Sequence, residues 1–374
     1  MGLFTLLIFF QVVYSPMVLP SFRTTSFGLV GVLPDTITDL TWNPSTLHKS
    51  GLTIFEDRSI LWWNRWVLAG VNWDWRRIVK VSFPSRVNLD DMKVTLMVGL
   101  NVPIGSGIGL LYNQRIVKHY DYFTITDHNI YTSTEFDGLR IGTKMWEWDL
   151  VGSIGEELYK HHVRTRIGTF LKRETSERAF VGFELRKQRP ADIYWISLRG
   201  EGSSSESRNY SDDLFPSEIL RKKKHTFSAI AEGAWVRVKH ADRVTFYVGF
   251  SASLEIGRVC LSENIDNDTV RISMEGCDHP WSFAFRLPLG TEIRTDWGTV
   301  ILSAYSQSLL AYRVHEGMEE TFYKTTTDFS YQFPALVDVI YSYTFRNRLR
   351  LSIRGKLAPT LFNTLHFMLT YWFS

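Results

Sequence analysis

A strict alternation of apolar and polar residues over long segments limits most strongly what this chain can fold into. Because successive strand side chains point to opposite faces, this alternation predicts strands with one apolar face. The clearest segment, 243–256, is about 14 residues long, well beyond the five or six residues of an ordinary strand. A tilted strand that crosses a membrane needs about 9–11 residues. Its apolar positions are Val244, Phe246, Val248, Phe250, Ala252, Leu254 and Ile256.

The same alternation recurs along most of the chain from about residue 52 onward. It is clear at 92–104 and 281–293, and in a hairpin at 163–186 whose turn we place at 174–178. Two stretches, 119–138 and 200–224, resemble long loops, the second because it is rich in Ser and Gly. Long loops on one rim and tight turns on the other are typical of membrane barrels. We therefore predict an all-β fold, a closed antiparallel transmembrane β-barrel of about 14 strands, within a range of about 12 to 16.

Composition excludes several other classes of protein. Mean hydropathy is −0.10, far below that of a bundle of membrane helices. Aromatic residues make up 14% of the chain, which a disordered chain would avoid. The net charge of +3 is too small to indicate nucleic-acid binding, and no nucleic-acid partner is expected.

A soluble fold remains an alternative, because a β-sandwich shows the same alternation. In that hypothesis the chain is an exported β-sandwich that binds carbohydrate through exposed Trp62, Trp63 and Trp66. Strand length favours the barrel, as do the Trp and Tyr residues near predicted strand ends, where membrane interfaces enrich them.

The amino terminus has the features of an imperfect signal peptide. Residues 3–14 form an apolar run of the right length, and Ser15-Pro16 interrupts it. No basic residue precedes the run and no clean cleavage motif follows it. We predict that residues 1–22 are a signal peptide; the alternative is a buried amino-terminal strand or helix.

The carboxyl terminus carries an alternating aromatic pattern. Phe367, Leu369, Tyr371 and Phe373 occupy every second position, and the chain stops at Ser374. This strand resembles the terminal strand by which bacterial outer-membrane barrels are recognised for assembly, although here the last aromatic residue is penultimate. The resemblance implies the outer-membrane assembly machinery as a partner.

Residues 28–47 contain glycines, an acidic turn and an Asn-Pro-Ser-Thr-Leu motif; the positions concerned are Asp35, Asp39, Asn43 and Pro44. This segment resembles the plug-forming start of the FadL-like and PorV-like outer-membrane barrels, with Ser45 in place of their Ala. The resemblance implies a plug at 23–51 inside a barrel at 52–374. It further implies a passive channel or transporter for small, hydrophobic molecules, or a structural envelope component. The location would be the Gram-negative outer membrane, with the lipid bilayer and lipopolysaccharide as partners.

Motifs for catalysis are absent from the sequence. No phosphate-binding glycine loop, paired-histidine zinc motif or nucleophile elbow occurs. We therefore predict no enzymatic activity, no cofactor and no metal. The alternative is a barrel enzyme that acts on lipids, with Ser, His and carboxylate side chains brought together across strands.

Cations at period 2 suggest a ligand-binding lumen. These arginine and lysine residues are predicted to face the interior of the barrel and to bind a small anionic molecule. The alternative is that four glutamates whose sequence positions also predict a lumen-facing side chain neutralise these cations; they are Glu184, Glu232, Glu255 and Glu292. A separate basic run, 221–224, is predicted to be a solvated or lipopolysaccharide-facing rim. The lumen candidates are Arg164, Arg166, Arg186, Arg346, Arg348, Arg350, Arg354 and Lys356.

The chain has two cysteines, Cys260 and Cys277, with a polar stretch between them. A disulfide across a hairpin in an oxidising compartment is one interpretation, and two unpaired thiols are the other.

Overall fold

The computed structural model describes most of the chain. The predicted signal peptide lies outside the described residues, as does Phe373. No helix in the described part is long and apolar enough to cross a bilayer. The described residues are 24, 32–47, 50–55, 59–82, 85–102, 107–123, 128–165, 170–211, 217–267, 270–296, 298–319, 322–332, 335–345, 349–358 and 361–372.

One short helix precedes a long series of strands in the described chain. Helix α1 (Thr36–Trp42) is followed by a 3-10 turn (Pro44–Thr46). The strands are β1 (Gly51–Phe55), β2 (Ile60–Trp63), β3 (Val67–Ser82), β4 (Ser85–Val102), β5 (Ile108–Phe123), β6 (His128–Met145), β7 (Trp148–Thr165), β8 (Phe170–Gln188), β9 (Asp192–Tyr210), β10 (Glu218–Ala241), β11 (Val244–Asn267), β12 (Val270–Thr295), β13 (Gly298–Glu319), β14 (Phe322–Gln332), β15 (Ala335–Phe345), β16 (Leu349–Ala358) and β17 (Leu361–Trp372).

The strands form one closed antiparallel ring. Strand β1 pairs with both β2 and β17, which joins the beginning of the sheet to its end. Strands β14 and β15 pair with successive stretches of β13 and together occupy one position in the ring. The 17 described strands therefore make a 16-stranded barrel. The predicted barrel fold is confirmed, with a strand count at the top of the predicted range.

Side-chain exposure shows which face of the wall is apolar. On β11, Phe246, Val248 and Phe250 are exposed, whereas Thr245 and Tyr247, which have the opposite parity, are buried. An apolar face that points outward fits a lipid-facing barrel and not a sandwich, whose apolar faces meet in a core. The soluble sandwich alternative is therefore wrong.

The three tryptophans proposed as a sugar-binding surface do not share one face. Trp62 is 38% exposed on β2, and Trp66 is 47% exposed in the following turn. Trp63 lies between them in sequence and is fully buried. Adjacent strand residues point to opposite faces, so the three rings cannot form a common platform.

The apolar band lies near one end of the barrel. We call the end where Gly51 pairs with Trp372 the terminal rim, and the opposite end the far rim. Beyond the band, strands β9–β12 continue toward the far rim with polar residues on both faces. Water contacts both faces there, so apolar alternation is not needed and cross-strand hydrogen bonds hold the strands together.

This polar extension corrects three sequence-based expectations. Much of the loop expected at 200–224 forms β9 and β10, and much of the loop expected at 119–138 forms β5 and β6. The turn placed at 174–178 lies inside β8, and the hairpin connection falls between Thr165 and Phe170. Ser, Gly and charged residues suggested loops because strand patterns are easiest to recognise where one face is buried.

A disulfide joins two neighbouring strands in the polar extension. Cys260 on β11 lies directly opposite Cys277 on β12, and their sulfur atoms are bonded. Of the two interpretations of these cysteines, the structure contains the cross-strand disulfide.

The wall is uneven next to the chain ends. Strand β1 has five residues and β2 has four, and a hydrogen bond from Phe55 N to Ser59 O closes this hairpin. Strand β3 continues past it, and among the described strands its stretch 72–82 pairs only with β4. On the other side, residues 361–367 of β17 pair only with β16 within the described chain. The β1–β2 hairpin therefore covers only the terminal-rim part of the wall between β17 and β3.

Candidate functional site: an amino-terminal segment in the lumen

The most elaborate set of interior contacts involves residues 32–47, which we call the lumen segment. Asp35 caps α1, because its Oδ1 accepts hydrogen bonds from the backbone N of Ile37 (3.0 Å) and of Thr38 (3.4 Å). The helix ends at Trp42, because Asn43 precedes Pro44 and the residue before a proline avoids helical geometry. Asn43 Oδ1 then accepts hydrogen bonds from the backbone N (3.1 Å) and hydroxyl (2.8 Å) of Ser45. Local capping thus defines a compact helix and turn.

Apolar residues attach the lumen segment to both sides of the ring. Ile37, Leu40 and Leu47 pack in one buried cluster with residues of β2–β5. Val32, Leu33 and Trp42 pack in a second cluster with residues of β7, β9–β11, β13 and β15. Each fully buried apolar side chain contributes roughly 1.5–3 kcal/mol. The wall residues are Leu61, Trp63, Leu68, Met97 and Leu111 in the first cluster, and Val151, Ile193, Trp195, Ala234, Val236, Tyr247, Ile301 and Ile340 in the second.

Two glycines in the wall allow the segment to approach closely. A Cβ atom added at Gly109 on β5 would overlap the backbone of Pro44 and Ser45. A Cβ atom at Gly142 on β6 would overlap the side-chain oxygen of Asn43. Glycine is therefore required at position 109 for the 3-10 turn to lie against the wall, and at position 142 it leaves room for the Asn43 side chain.

Arg186 on β8 ties the segment to the wall by charge. Its Nη1 lies 2.6 Å from Asp39 Oδ1 of the segment, and its Nη2 lies 3.1 Å from Asp149 Oδ2 of β7. The guanidinium carbon also lies 4.1 Å from the centroid of a Trp42 ring. The arginine is only 2% exposed, so these contacts are largely shielded from water. Removing one partner of such a buried pair typically costs about 3–5 kcal/mol.

Glu184 on the same strand forms a second attachment. Trp42 Nε1 donates a hydrogen bond to Glu184 Oε2 at 2.5 Å, and Glu184 Oε1 forms an ion pair with Arg140 of β6. Arg140 is fully buried, and its Nε and Nη1 have no hydrogen-bond partner in the described part of the chain. Trp42 thus contacts an arginine with its ring face and a carboxylate with its N–H group.

The pKa of Asp39 is shifted by its surroundings. Burial raises the pKa of this carboxyl group, and the Arg186 guanidinium lowers it in opposition. The carboxylates of Asp35 and Asp149 add a smaller upward effect, so the pKa of Asp39 lies above the usual value for an aspartate.

Charged residues also line the lumen wall farther from the terminal rim. Arg199 Nη2 lies 2.6 Å from Glu201 Oε1, and Arg178 forms an ion pair with the same carboxylate. Nearby, Arg115 Nη2 lies 3.3 Å from Glu157 Oε1. These arginines and glutamates form ion pairs with one another, and none of them is among the lumen candidates chosen from the sequence.

The structure separates the cations that the sequence grouped together. Arg186 is buried near the terminal rim, whereas Arg164 is exposed near the far-rim end of β7 with its guanidinium 4.1 Å from the Phe170 ring centroid. These two residues therefore do not share a site. Arg350, Arg354 and Lys356 occupy β16 positions of the same parity as the buried Ser352, and only their backbone is described. Arg166, Arg346 and Arg348 lie outside the described residues.

The residues of the plug motif lie together in the lumen segment. Asp35 and Asn43 cap it, Asp39 binds Arg186, and Pro44 contacts the wall at Gly109. Sequence reasoning did not single out Trp42, Arg140, Gly109 or Gly142. Both glycines occupy strand positions whose side chains would point inward, close to predicted strand ends. This placement is the signal that could have identified Gly109 and Gly142.

The predicted assembly residues lie on the last strand. Leu369 is 36% exposed on the outer face of β17, and Tyr371 is half-buried. For Phe367 only the backbone is described. Their role in assembly stays a prediction.

Comparison with known proteins extends only to the fold. No protein-family model matches the chain, and no curated protein matches its sequence. Among solved structures, the siderophore receptor PiuA from Acinetobacter baumannii has a TM-score of 0.41 at 6% identity, over 87% of this chain and 81% of that one. The copper transporter OprC has a TM-score of 0.39 at 8% identity, over 87% and 80%. The alcaligin outer-membrane receptor FauA from Bordetella pertussis has a TM-score of 0.38 at 8% identity, over 87% and 75%.

These similar structures are transporters and receptors, not enzymes. The resemblance to FadL-like and PorV-like barrels is a separate, sequence-based prediction. No group of histidine, cysteine and acidic residues in the described ranges is arranged to hold a metal ion.

Proposed function

We propose that this chain is a transport barrel of the Gram-negative outer membrane, and that the lumen segment acts as a plug at its terminal rim. The observation that carries this proposal is the packing of residues 32–47 on inward-facing residues from both sides of the ring. Barrels of 16 strands without a plug leave an aqueous channel. A segment attached on both sides of such a lumen is well placed to obstruct it.

The outer surface supports the membrane location. Closed barrels satisfy all backbone hydrogen bonds within the sheet, which a bilayer requires. Exposed aromatic residues flank the apolar band on both sides, with Trp146 and Tyr343 toward the terminal rim and Trp73 and Trp281 toward the far rim. Such girdles mark the two membrane interfaces of outer-membrane barrels.

Opening, in this proposal, is the release of the lumen segment from Arg186 and Glu184. The solute that then passes meets a wall of paired arginines and glutamates, so a polar molecule is the better fit for the lumen itself. No step of this process requires catalysis.

Asp39→Asn in reconstituted bilayers tests the plug. The substitution keeps the shape of the side chain but removes the charge that pairs with Arg186. We expect a higher ionic conductance than in the wild type, because the segment leaves the wall more often.

A cysteine tether provides the matched control. A Cβ atom at position 142 would lie 3.0 Å from Cγ of Asn43, near where a cysteine sulfur would lie, so Asn43→Cys with Gly142→Cys is suited to a disulfide. In a variant that carries both cysteines and Asp39→Asn, the oxidised disulfide should lower the conductance to the wild-type value. Reductant should then raise the conductance to that of Asp39→Asn alone. Wild-type protein with reductant controls for the native Cys260–Cys277 bond. Equal conductance in Asp39→Asn and wild type would contradict the plug.

A second candidate function is exchange of apolar molecules between the lumen and the far-rim interface of the bilayer, at the height of Trp73. It is favoured by the short β1–β2 hairpin, beyond which 72–82 of β3 and 361–367 of β17 have no described strand between them. Asp74 is on the inward face of β3 at this opening, and Ser253 is on the inward face of the intact wall. A thiol reagent dissolved in the bilayer should label Asp74→Cys faster than Ser253→Cys. Equal labelling would exclude the side opening.

A further inference from the structure

Basic residues lie immediately beyond the apolar band on β10–β12. Phe227 is 62% exposed, Ile256 is 56% exposed and Trp281 is 37% exposed, and they end the band on these three strands. The next outward positions toward the far rim are His225, Arg258 and His279. Phe227 lies directly opposite Arg258, so apolar and cationic side chains adjoin on the outer surface.

Strand geometry divides the basic run 221–224 between two faces. Lys223 is exposed and shares the outer face of His225. Lys222 has the opposite parity, and its Nζ lies 2.9 Å from Glu263 Oε1. Only half of the run that the sequence analysis assigned to a rim can therefore contribute to one outer patch.

Acidic residues near this patch are mostly engaged elsewhere. Glu206 lies opposite Lys223 but forms ion pairs with Arg208 (3.0 Å) and Arg221 (2.6 Å). Glu275 accepts a hydrogen bond from the Ser262 hydroxyl at 3.4 Å. Both lie farther from the band than Arg258. Within the described chain, neither Lys223 nor Arg258 forms an ion pair with a carboxylate.

Strands β6–β8, about a quarter of the ring away from β10–β12, have acidic residues next to the band. Leu139, Ile154 and Val181 are exposed in the band on β6–β8. The outward residues that follow the band there are Asp137, Glu156 and Glu177. The first charged outward residues beyond the band are therefore basic on β10–β12 and acidic on β6–β8.

We propose that the outer patch of Lys223, His225 and Arg258 binds the phosphate groups of an outer-leaflet glycolipid, a lipopolysaccharide. This rests on the outer-membrane location proposed above. An amphiphile with acyl chains and a phosphorylated headgroup fits the junction, because its chains can lie on Phe227 and Ile256 while its phosphates meet the cations. The Cys260–Cys277 bond lies within the patch, and Arg258 Nη2 is 3.8 Å from Cys277 Sγ, which helps to hold the guanidinium at the surface.

The test measures binding of purified lipopolysaccharide to the detergent-solubilised full chain. We expect Lys223→Ser with Arg258→Ser to weaken binding by about thirtyfold, since each of the two cations near such a surface contributes about 1 kcal/mol. The matched control is Arg237→Ser with Lys239→Ser, two exposed cations on β10 near the terminal rim. That control should bind as the wild type does, and dephosphorylated lipopolysaccharide should bind wild type as weakly as the patch variant binds the intact lipid.

Three outcomes would overturn the proposal. They are wild-type affinity in the patch variant, unchanged affinity for the dephosphorylated lipid, or full competition by inorganic phosphate, which would indicate a site for free anions. Gel mobility before and after boiling verifies that each variant is folded. The conductance of Asp39→Asn is measured independently, so failure of the lipid site and failure of the plug are distinguishable.

Discussion

A single arginine contacts three different groups at the site. Arg186 binds a carboxylate of the segment, a carboxylate of the wall and the face of Trp42. A guanidinium can do this because it is planar and offers several donors in fixed directions, whereas a lysine ammonium is a compact point charge. The geometry of this residue, beyond its charge, therefore matters for holding the segment.

Arg186→Lys tests this role of geometry. The variant keeps the positive charge but loses the forked contact with Asp39 and Asp149 and the stacking on Trp42. We expect the segment to be released about tenfold more often, a cost of ~1.4 kcal/mol. The rate of proteolysis within 32–47 by a broad-specificity protease measures it. Cleavage at the wild-type rate would show that charge alone is sufficient.

Gly109→Ala tests the close approach of segment and wall. The added methyl group would overlap the backbone of Pro44 and Ser45, so the 3-10 turn must move away. Gly152→Ala is the matched control, because a Cβ atom there meets nothing within 4 Å. We expect several-fold faster proteolysis of the segment in Gly109→Ala only, and equal rates in the two variants would contradict this.

At the scale of the strands, the sequence predicts well wherever lipid contacts one face. The alternation from Phe246 to Ile256 indicated the outer face of β11 in its lipid-facing part, but the strand continues beyond that part to Asn267. It failed at 200–210, where water contacts both faces and Ser and Gly residues extend β9 without a pattern. The pairing register between neighbouring strands could not be predicted from the sequence either. Arg164 and Arg186 look close in sequence, but antiparallel strands place them at opposite ends of the barrel wall.

The Cys260–Cys277 disulfide belongs to this element scale. It joins β11 and β12 in the polar extension, where no bilayer supports the strands, and it closes a loop with a sequence separation of 17. Loops of about this size are stabilised by about 3 kcal/mol. With Cys260→Ser and Cys277→Ser, we expect faster amide hydrogen exchange at 258–279 and unchanged exchange at 246–256. Unchanged exchange in both ranges would show that cross-strand hydrogen bonds suffice.

At the scale of the whole molecule, ring closure and the lumen segment have complementary roles. Pairing of β1 with β17 removes the free edges at the terminal rim, and the apolar band provides the surface that a bilayer requires. The lumen segment occupies the same rim from inside, through the clusters that span the ring. The predicted plug residues lie in that segment, yet its partners could not be predicted, because they come from strands far apart in sequence.

Solute flux through proteoliposomes tests the central claim, that residues 32–47 close the lumen, most directly. The full chain is compared with a chain lacking 32–47, using polar solutes of increasing size and the gel mobility shift on boiling to verify folding. The account predicts that the shortened chain admits solutes that the full chain excludes. Equal flux at every solute size would contradict it.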